Sequence, residues 1–119
     1  MRFQLFSSRA YEIQFEYTAV PPMITVSDRG AEQFGIPRLI VNPSENRELL
    51  SIISRETLCR LDRMLRKTTA ECPVVECEAE VNFDGEKHLS RMICQALWTH
   101  GEKDEYRGAI GKIVGIDEE

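Results

Sequence analysis

The sequence predicts an α+β domain in which an antiparallel sheet carries its helices on one face, and three observations lead to this class. Residues 75–83 alternate between apolar side chains at odd positions and acids or an amide at even positions, which is typical of a half-buried strand. Residues 54–67 instead repeat their apolar side chains at steps of three and four, which is typical of an amphipathic helix. The resulting order of strand, strand, helices and three strands indicates an α+β arrangement.

The C-terminal half predicts three antiparallel strands joined in sequence. Asp84-Gly85 follows the alternating strand directly, and this dipeptide favours a two-residue hairpin turn because it accepts positive φ. Residues 87–98 then form a long partner strand. After a polar break, residues 106–116 form another strand that is rich in glycine and β-branched residues. These three segments therefore predict a meander.

The N-terminal half predicts a second group of two strands, which brings the sheet to five. Residues 12–17 alternate between polar and apolar side chains, as a half-buried strand does. Pro21-Pro22 ends this strand, because proline cannot donate to the ladder, and residues 23–27 start the next one.

Three helical segments are expected between the two groups of strands. Residues 30–34 form the first and Gly35 ends it, while residues 44–53 form the second. The third and longest covers residues 55–67, with Ser54 as its N-cap and cations in its last turn.

Length and charge restrict the class of protein. The chain has 119 residues and a formal net charge of −5, so we expect one domain over residues 12–119, preceded by an extension or covering segment over residues 1–11. No apolar run approaches the roughly 20 residues that span a bilayer, and no signal peptide is recognisable. We therefore expect a cytoplasmic protein without membrane insertion. The acidic balance disfavours nucleic-acid binding.

Cysteine and histidine spacing does not indicate a metal or catalytic site. No two cysteines have the Cys-x-x-Cys spacing, and His88 and His100 are too far apart to form a helical ligand pair. Neither histidine has a serine, cysteine or aspartate at a recognisable catalytic spacing, so no catalytic residue is assigned. We expect free thiols, and Cys59, Cys77 and Cys94 fall on positions where each would be a small buried hydrophobic residue.

Two charged clusters are interpreted as solvated surfaces. Glu76, Glu78 and Glu80 fall on the outer face of a strand whose other face is apolar. The basic side chains of residues 55–67 have no interleaved aromatic residues that could stack on bases.

Three stretches of the chain together resemble the PAS family of sensory domains. Residues 15–35, from Phe15-Glu16-Tyr17 to Phe34-Gly35, resemble the first hairpin and the helix after it. Residues 52–57, Ile-Ile-Ser-Arg-Glu-Thr, resemble the start of the long helix, and residues 106–117 resemble the last strand. The resemblance covers nearly the whole chain from about Glu12. It implies a five-stranded antiparallel sheet, in the order 2-1-5-4-3, around short helices and one longer helix.

The chain departs from the family pattern at two places. Many PAS domains end with Gly-x-x-x-Asp-Ile-Thr, whose Asp and Thr couple the sheet to the following linker, whereas this chain has Gly115 and Asp117 at those two positions. The Asn-Cys-Arg motif that supplies a flavin-reactive thiol in light-sensing members is absent.

Haem-binding members carry a histidine on the long helix, and residues 55–67 contain none. We therefore expect neither flavin nor haem, and no cofactor.

The resemblance implies a sensory and dimerisation module, not an enzyme by itself. The first strand, the acidic exit and the end at Asp117-Glu118-Glu119 are similar to PAS modules upstream of diguanylate cyclase (GGDEF) or phosphodiesterase domains in bacterial signalling proteins. We expect this chain to be a fragment of a longer parent protein, whose C-terminal output domain, such as a diguanylate cyclase or a phosphodiesterase, is absent from it. Two alternatives stay open: a small α+β enzyme with a cone-shaped apolar cavity and His88 or a buried carboxylate as base, and a ligand-free interaction module.

A ligand pocket is expected between the long helix and the sheet. The inward apolar positions of these elements would line it, with few polar groups, so a small apolar or planar ligand would suit it. The candidates are Ile24, Val26, Phe34, Leu58, Leu61, Leu65, Met92, Cys94 and Ile113.

The outer face of the sheet is expected to need cover. Its apolar positions on the last two strands are Leu89, Ile93, Leu97, Ile110 and Val114, and a contiguous patch of this kind marks a partner or a covering segment. A second copy of the chain, in a two-fold contact, or the N-terminal Phe3, Leu5 and Phe6 would supply that cover.

Overall fold

The structure, a computed structural model, describes residues 12–83 and 85–115 and consists of one sheet with short helices packed on a single face. The strands are β1 (Glu12–Thr18), β2 (Met23–Val26), β3 (Leu39–Val41), β4 (Val74–Phe83), β5 (Glu86–Thr99) and β6 (Glu105–Gly115). The helices are α1 (Asp28–Phe34), a 3-10 turn (Pro43–Glu45), α2 (Arg47–Leu50) and α3 (Arg55–Arg66).

The sheet is antiparallel and has the strand order β3-β2-β1-β6-β5-β4. It therefore has six strands where five were expected. The additional strand β3 pairs with β2 at the sheet edge and buries only Ile40, whereas Leu39 and Val41 are each 54% exposed. A strand of three residues contains one buried position, too few to show an alternating pattern in sequence. When β3 is left out and the other five strands are numbered in chain order, the sheet order is 2-1-5-4-3, as the family resemblance implies.

The predicted hairpin is confirmed by the register of β4 and β5. Val81 pairs with His88 and Phe83 with Glu86, which leaves a two-residue connection. Gly85 has φ of 81°, as this class of turn requires, and Asp84 lies outside the described residues. A register shift between Leu97 and Trp98 interrupts the pairing of β5 with β6.

The long helix begins where the sequence predicts. Ser54 has extended backbone angles, and its side chain accepts a hydrogen bond from the Thr57 amide at 3.1 Å. Cations lie in the last turn of α3, where they complement the helix dipole. The first helix is present as expected, but it begins at Asp28 rather than at residue 30, and its N-cap Ser27 accepts from the Gly30 amide at 3.2 Å.

The prediction of one helix over residues 44–53 was wrong. Ser44 lies within the 3-10 turn, and Asn46 starts α2 by accepting from the Leu49 amide at 2.9 Å. The chain leaves the helix after Leu50 because the carbonyl of Ile52 accepts from the amide of Asn82, on the outer edge of β4, at 2.8 Å. That tertiary hydrogen bond cannot be seen in a local pattern.

The core lies between the helices and the inner face of the sheet. Its side chains come from the helices and from the inward positions of the strands: Phe15, Ile40, Leu49, Ile53, Leu61, Leu65, Val75, Ala79, Met92, Cys94, Ala96 and Ala109.

Candidate functional site

The candidate site is a cavity of about 290 Å³ between α3 and the sheet. One wall is the stripe of leucines on α3, Leu58, Leu61 and Leu65, which the helical period places on one side. The opposite wall is formed by inward side chains of the central strands, including Phe15 and Met92. Because nearly all of these side chains are hydrocarbon, the cavity suits an apolar molecule.

Six of the pocket candidates line this cavity together: Ile24, Leu58, Leu61, Leu65, Met92 and Ile113. The other three lie elsewhere. Val26 is buried next to α1, Phe34 packs on Phe83 with ring centroids 4.9 Å apart, and Cys94 is buried in the core without reaching the cavity.

Several cavity residues were not predicted from the sequence. Phe15 and Tyr17 occupy the inward positions of β1, and the alternation over residues 12–17 was a signal that could have identified them. Asp62 was also missed, although it lies four residues after Leu58 and so shares the cavity side of α3. Leu49 comes from the segment that was predicted as one helix, and Pro43 begins the 3-10 turn just before it.

A polar cluster adjoins the apolar walls at one end of α3. The Arg66 Nε donates to the Asp62 Oδ2 at 2.8 Å, and the guanidinium lies 5.0 Å from the ring centroid of Tyr106. Burial, followed by the Asp62 carboxylate, raises the pKa of Tyr17 and of Tyr106 above its ordinary value. Both phenols therefore keep their protons across the physiological range.

Two atoms of this cluster are buried and have no hydrogen-bond partner within the described residues, namely the Asp62 Oδ1 and the Tyr106 hydroxyl. The ring of Tyr106 is fixed by Trp98, whose ring centroid lies 5.6 Å away. Trp98 in turn donates its indole N–H to the Thr68 hydroxyl at 3.1 Å. The cluster thus leaves one carboxylate oxygen without a hydrogen-bond partner at Asp62, a residue of the cavity lining, and holds the Tyr106 ring between Arg66 and Trp98.

The cysteines are free thiols and lie at different depths. Cys94 is buried, and burial raises its pKa to about 12, which suppresses its thiolate. Cys77 is half-buried, and burial raises its pKa as well. Cys59 is exposed on α3, so the expectation that it is buried was wrong. Helical periodicity alone did not show that this residue lies on the solvent-facing side of the helix.

Neither histidine adjoins the cavity. His88 lies near Phe83, with ring centroids 6.1 Å apart, and His100 faces Asp104 in a polar loop at 3.3 Å. Over residues 12–83 and 85–115, no group of three or more His, Cys, Asp or Glu residues could hold a metal ion.

Three basic side chains of α3 bind groups of their own chain. Arg55 donates to the Ser44 carbonyl at 2.7 Å and Arg60 to the Glu78 carbonyl at 3.0 Å, while Arg66 pairs with Asp62. In the part of the chain that the structure describes, no helix has the length and apolar character needed to span a bilayer.

The outer face of the sheet carries the predicted apolar patch. Leu89, Leu97 and Ile110 are 46%, 37% and 40% exposed, and Ile93 and Val114 are half-buried beside them. These five residues are called the outer patch below. A groove of about 530 Å³ crosses it, with Ile93 and Ile110 in its lining. Other exposed apolar side chains, which sequence patterning did not include, lie on the two edge strands: Leu39 and Val41 on β3, and Val74 on β4.

A solved structure, the sensory box histidine kinase/response regulator from Burkholderia thailandensis E264, is similar to this chain. The two share 19% sequence identity and a TM-score of 0.61, over 98% of this chain and 85% of that chain. No protein-family model and no curated protein matches the sequence. The chain therefore shares the fold of a sensory-box protein, an α+β arrangement with an antiparallel sheet and helices on one face.

Proposed function

We propose that this chain is a cytoplasmic PAS-type sensory module, which binds a small apolar or planar ligand in the cavity beside α3 and passes the signal to an output domain. The observation that carries the proposal is the apolar cavity of about 290 Å³ within a sensory-box fold. An apolar cavity of roughly 150 Å³ holds benzene, so a bicyclic ring is a fitting size here. The output domain, such as a diguanylate cyclase, is proposed from the sequence resemblance alone.

The proposal includes no cofactor. Among the described residues of the cavity lining there is no histidine to ligate haem, and the cysteine there, Cys59, does not stand in an Asn-Cys-Arg motif. A protein purified without added ligand is therefore expected to be colourless.

Ligand binding is tested with naphthalene as the probe. Replacing Leu58 with tryptophan should fill the cavity and weaken naphthalene binding at least about tenfold, because the added ring takes the volume that the probe needs. Leu39→Trp is the matched control, since Leu39 is 54% exposed at the sheet edge. Ligand-detected NMR measures both affinities. Equal binding to the two variants would show that naphthalene does not occupy this cavity.

We also propose that the outer patch forms a homodimer contact. Water next to these side chains is unfavourable by roughly 25 cal/mol per Å² of apolar area, before the entropy cost of association. Charges around the patch favour a self-complementary contact: Glu76, Glu78 and Glu80 lie along the edge strand, while Arg91 and Lys112 lie on the same face of the central strands.

Replacing Ile93 and Ile110 together with aspartate should produce a folded monomer. Burying two carboxylates in an apolar contact is strongly unfavourable, so we expect the dissociation constant to rise at least about 100-fold. Sedimentation velocity measures the change, and circular dichroism checks folding. Val20→Asp is the control, because Val20 is 83% exposed in a turn outside the outer patch. A wild-type chain that is monomeric at about 100 μM would contradict the dimer.

The enzyme alternative has one observation in its favour, an acid in an apolar cavity wall. Asp62 is that acid, and it is paired with Arg66, while His88 lies away from the cavity. An enzyme would have to use Asp62 as its base; a sensory module needs it only for binding. The third reading, an interaction module without a ligand, requires that the cavity take up no naphthalene.

A further inference from the structure

We propose that the cavity selects neutral aromatic compounds that carry one hydrogen-bond donor, a hydroxyl or an N–H, and that the Asp62 Oδ1 accepts this hydrogen bond. The inference rests on the proposed ligand-binding function and specifies its ligand class. It follows from the position of Asp62 in the cavity lining, from the hydrogen bonding of its two carboxylate oxygens and from the apolar composition of the cavity walls.

The Asp62 carboxylate has one occupied and one available oxygen. Its Oδ2 accepts from the Arg66 Nε at 2.8 Å, whereas its Oδ1 is buried and without a hydrogen-bond partner in the described ranges. Asp62 lies in the cavity lining, between the apolar side chains of Leu58 and Leu65 on the same side of α3. A buried acceptor is nearly always hydrogen-bonded in folded proteins, so a donor on the ligand would complete this site.

The charges around the cavity favour a neutral ligand. The carboxylate already faces the Arg66 guanidinium, which is not among the lining residues, and Arg63 in the lining is exposed to solvent. A charged ligand would have to leave water for walls that are mainly hydrocarbon, where neither arginine offers it a buried counter-charge. A hydroxyl or N–H donates to Asp62 without adding a charge.

The walls and the volume favour an aromatic body. Phe15 and Tyr17 lie on the sheet side of the cavity, and aromatic rings prefer offset or edge contacts with such neighbours. Burial and the Asp62 carboxylate raise the pKa of Tyr17, and its hydroxyl lies within hydrogen-bonding reach of that carboxylate, so it competes with a ligand donor for Asp62. A ligand donor has to be a better partner for the Oδ1 than this side chain.

The experiment compares 2-naphthol with naphthalene, two probes of one shape that differ by a donor. The ratio of their affinities is measured by ligand-detected NMR for the wild-type chain and for Asp62→Leu. This substitution removes the acceptor and puts an apolar side chain of similar size in its place. We expect the 2-naphthol preference to fall at least about tenfold in Asp62→Leu, as for loss of a hydrogen bond to a charged group. Asp62→Asn keeps an acceptor oxygen and should keep most of the preference.

The outcomes separate the two proposals. If both probes bind the wild-type chain and Asp62→Leu leaves their affinity ratio unchanged, the donor rule is overturned while the cavity remains a ligand site. If neither probe binds the wild-type chain, the proposed function fails, and this inference fails with it. Should Asp62→Leu not fold, an unchanged ratio in Asp62→Ala would overturn the donor rule by the same comparison.

Discussion

Replacing Gly108 with alanine is expected to unfold the domain or to destabilise it by more than about 3 kcal/mol. A Cβ at this position would overlap the carbonyl oxygen of Tyr17 and lie 2.9 Å from its carbonyl carbon. Both are backbone atoms of β1, which pairs with β6 at Thr18 and Gly108, so neither can move without opening that ladder. Gly108 also has φ of 148°, which L side chains rarely adopt.

Urea denaturation at 25 °C measures this effect, and Gly101→Ala is its control. A Cβ on Gly101 would meet only the Lys103 carbonyl at 3.7 Å, an ordinary contact, so a change within about 0.5 kcal/mol is expected. The total stability of a domain of this size is about 5–15 kcal/mol, so the Gly108 variant would lose a large part of it. Equal stability of the two variants would contradict the close approach of β1 and β6.

Elements with strong local signals could be predicted from the sequence. The alternation over residues 75–83 and the Asp84-Gly85 dipeptide were enough for the β4–β5 hairpin and its register. Ser54 and the leucine repeat were enough for α3. In these segments the local preference and the tertiary packing agree, so the pattern is a reliable guide.

Elements that depend on distant contacts could not be predicted. Strand β3 has one buried residue, Ile40, and exists because β2 offers it an edge. The end of α2 depends on the hydrogen bond between Asn82 and Ile52, thirty residues apart in the chain. Neither partner is visible within a window of local sequence.

The candidate site shows the same division. The α3 leucines follow from helical periodicity, and Met92 and Ile113 follow from strand alternation. Phe34 was wrongly assigned to the cavity, because a helix this short has too few apolar residues to show which of its faces packs on the sheet. Asp62 was overlooked because a charged residue on a helix is ordinarily solvated. Its side chain is 32% exposed, and the burial of its Oδ1 depends on Arg66 and on the strands that carry Tyr17 and Tyr106, which only the fold brings together.

The second large effect is expected from Leu65→Ala, which should destabilise the domain by about 2–5 kcal/mol. Leu65 is 1% exposed, belongs to the core and also forms part of the cavity wall. Truncation of Leu65 therefore removes buried apolar area and enlarges the cavity. Neighbouring side chains such as Leu61 and Met92 cannot fill the added volume without leaving their own contacts. Thermal and urea denaturation measure the loss.

Leu39→Ala is the matched control for this prediction, because it removes the same atoms from a side chain that is 54% exposed on the edge strand. It should change stability by less than about 1 kcal/mol. Naphthalene should raise the free energy of unfolding of Leu39→Ala as much as that of the wild-type chain, because both keep the cavity, and by a different amount in Leu65→Ala, whose cavity wall is changed. Equal losses in the two variants would show that α3 does not pack its leucine stripe against the sheet, and the same naphthalene effect in all three proteins would place the probe outside the cavity.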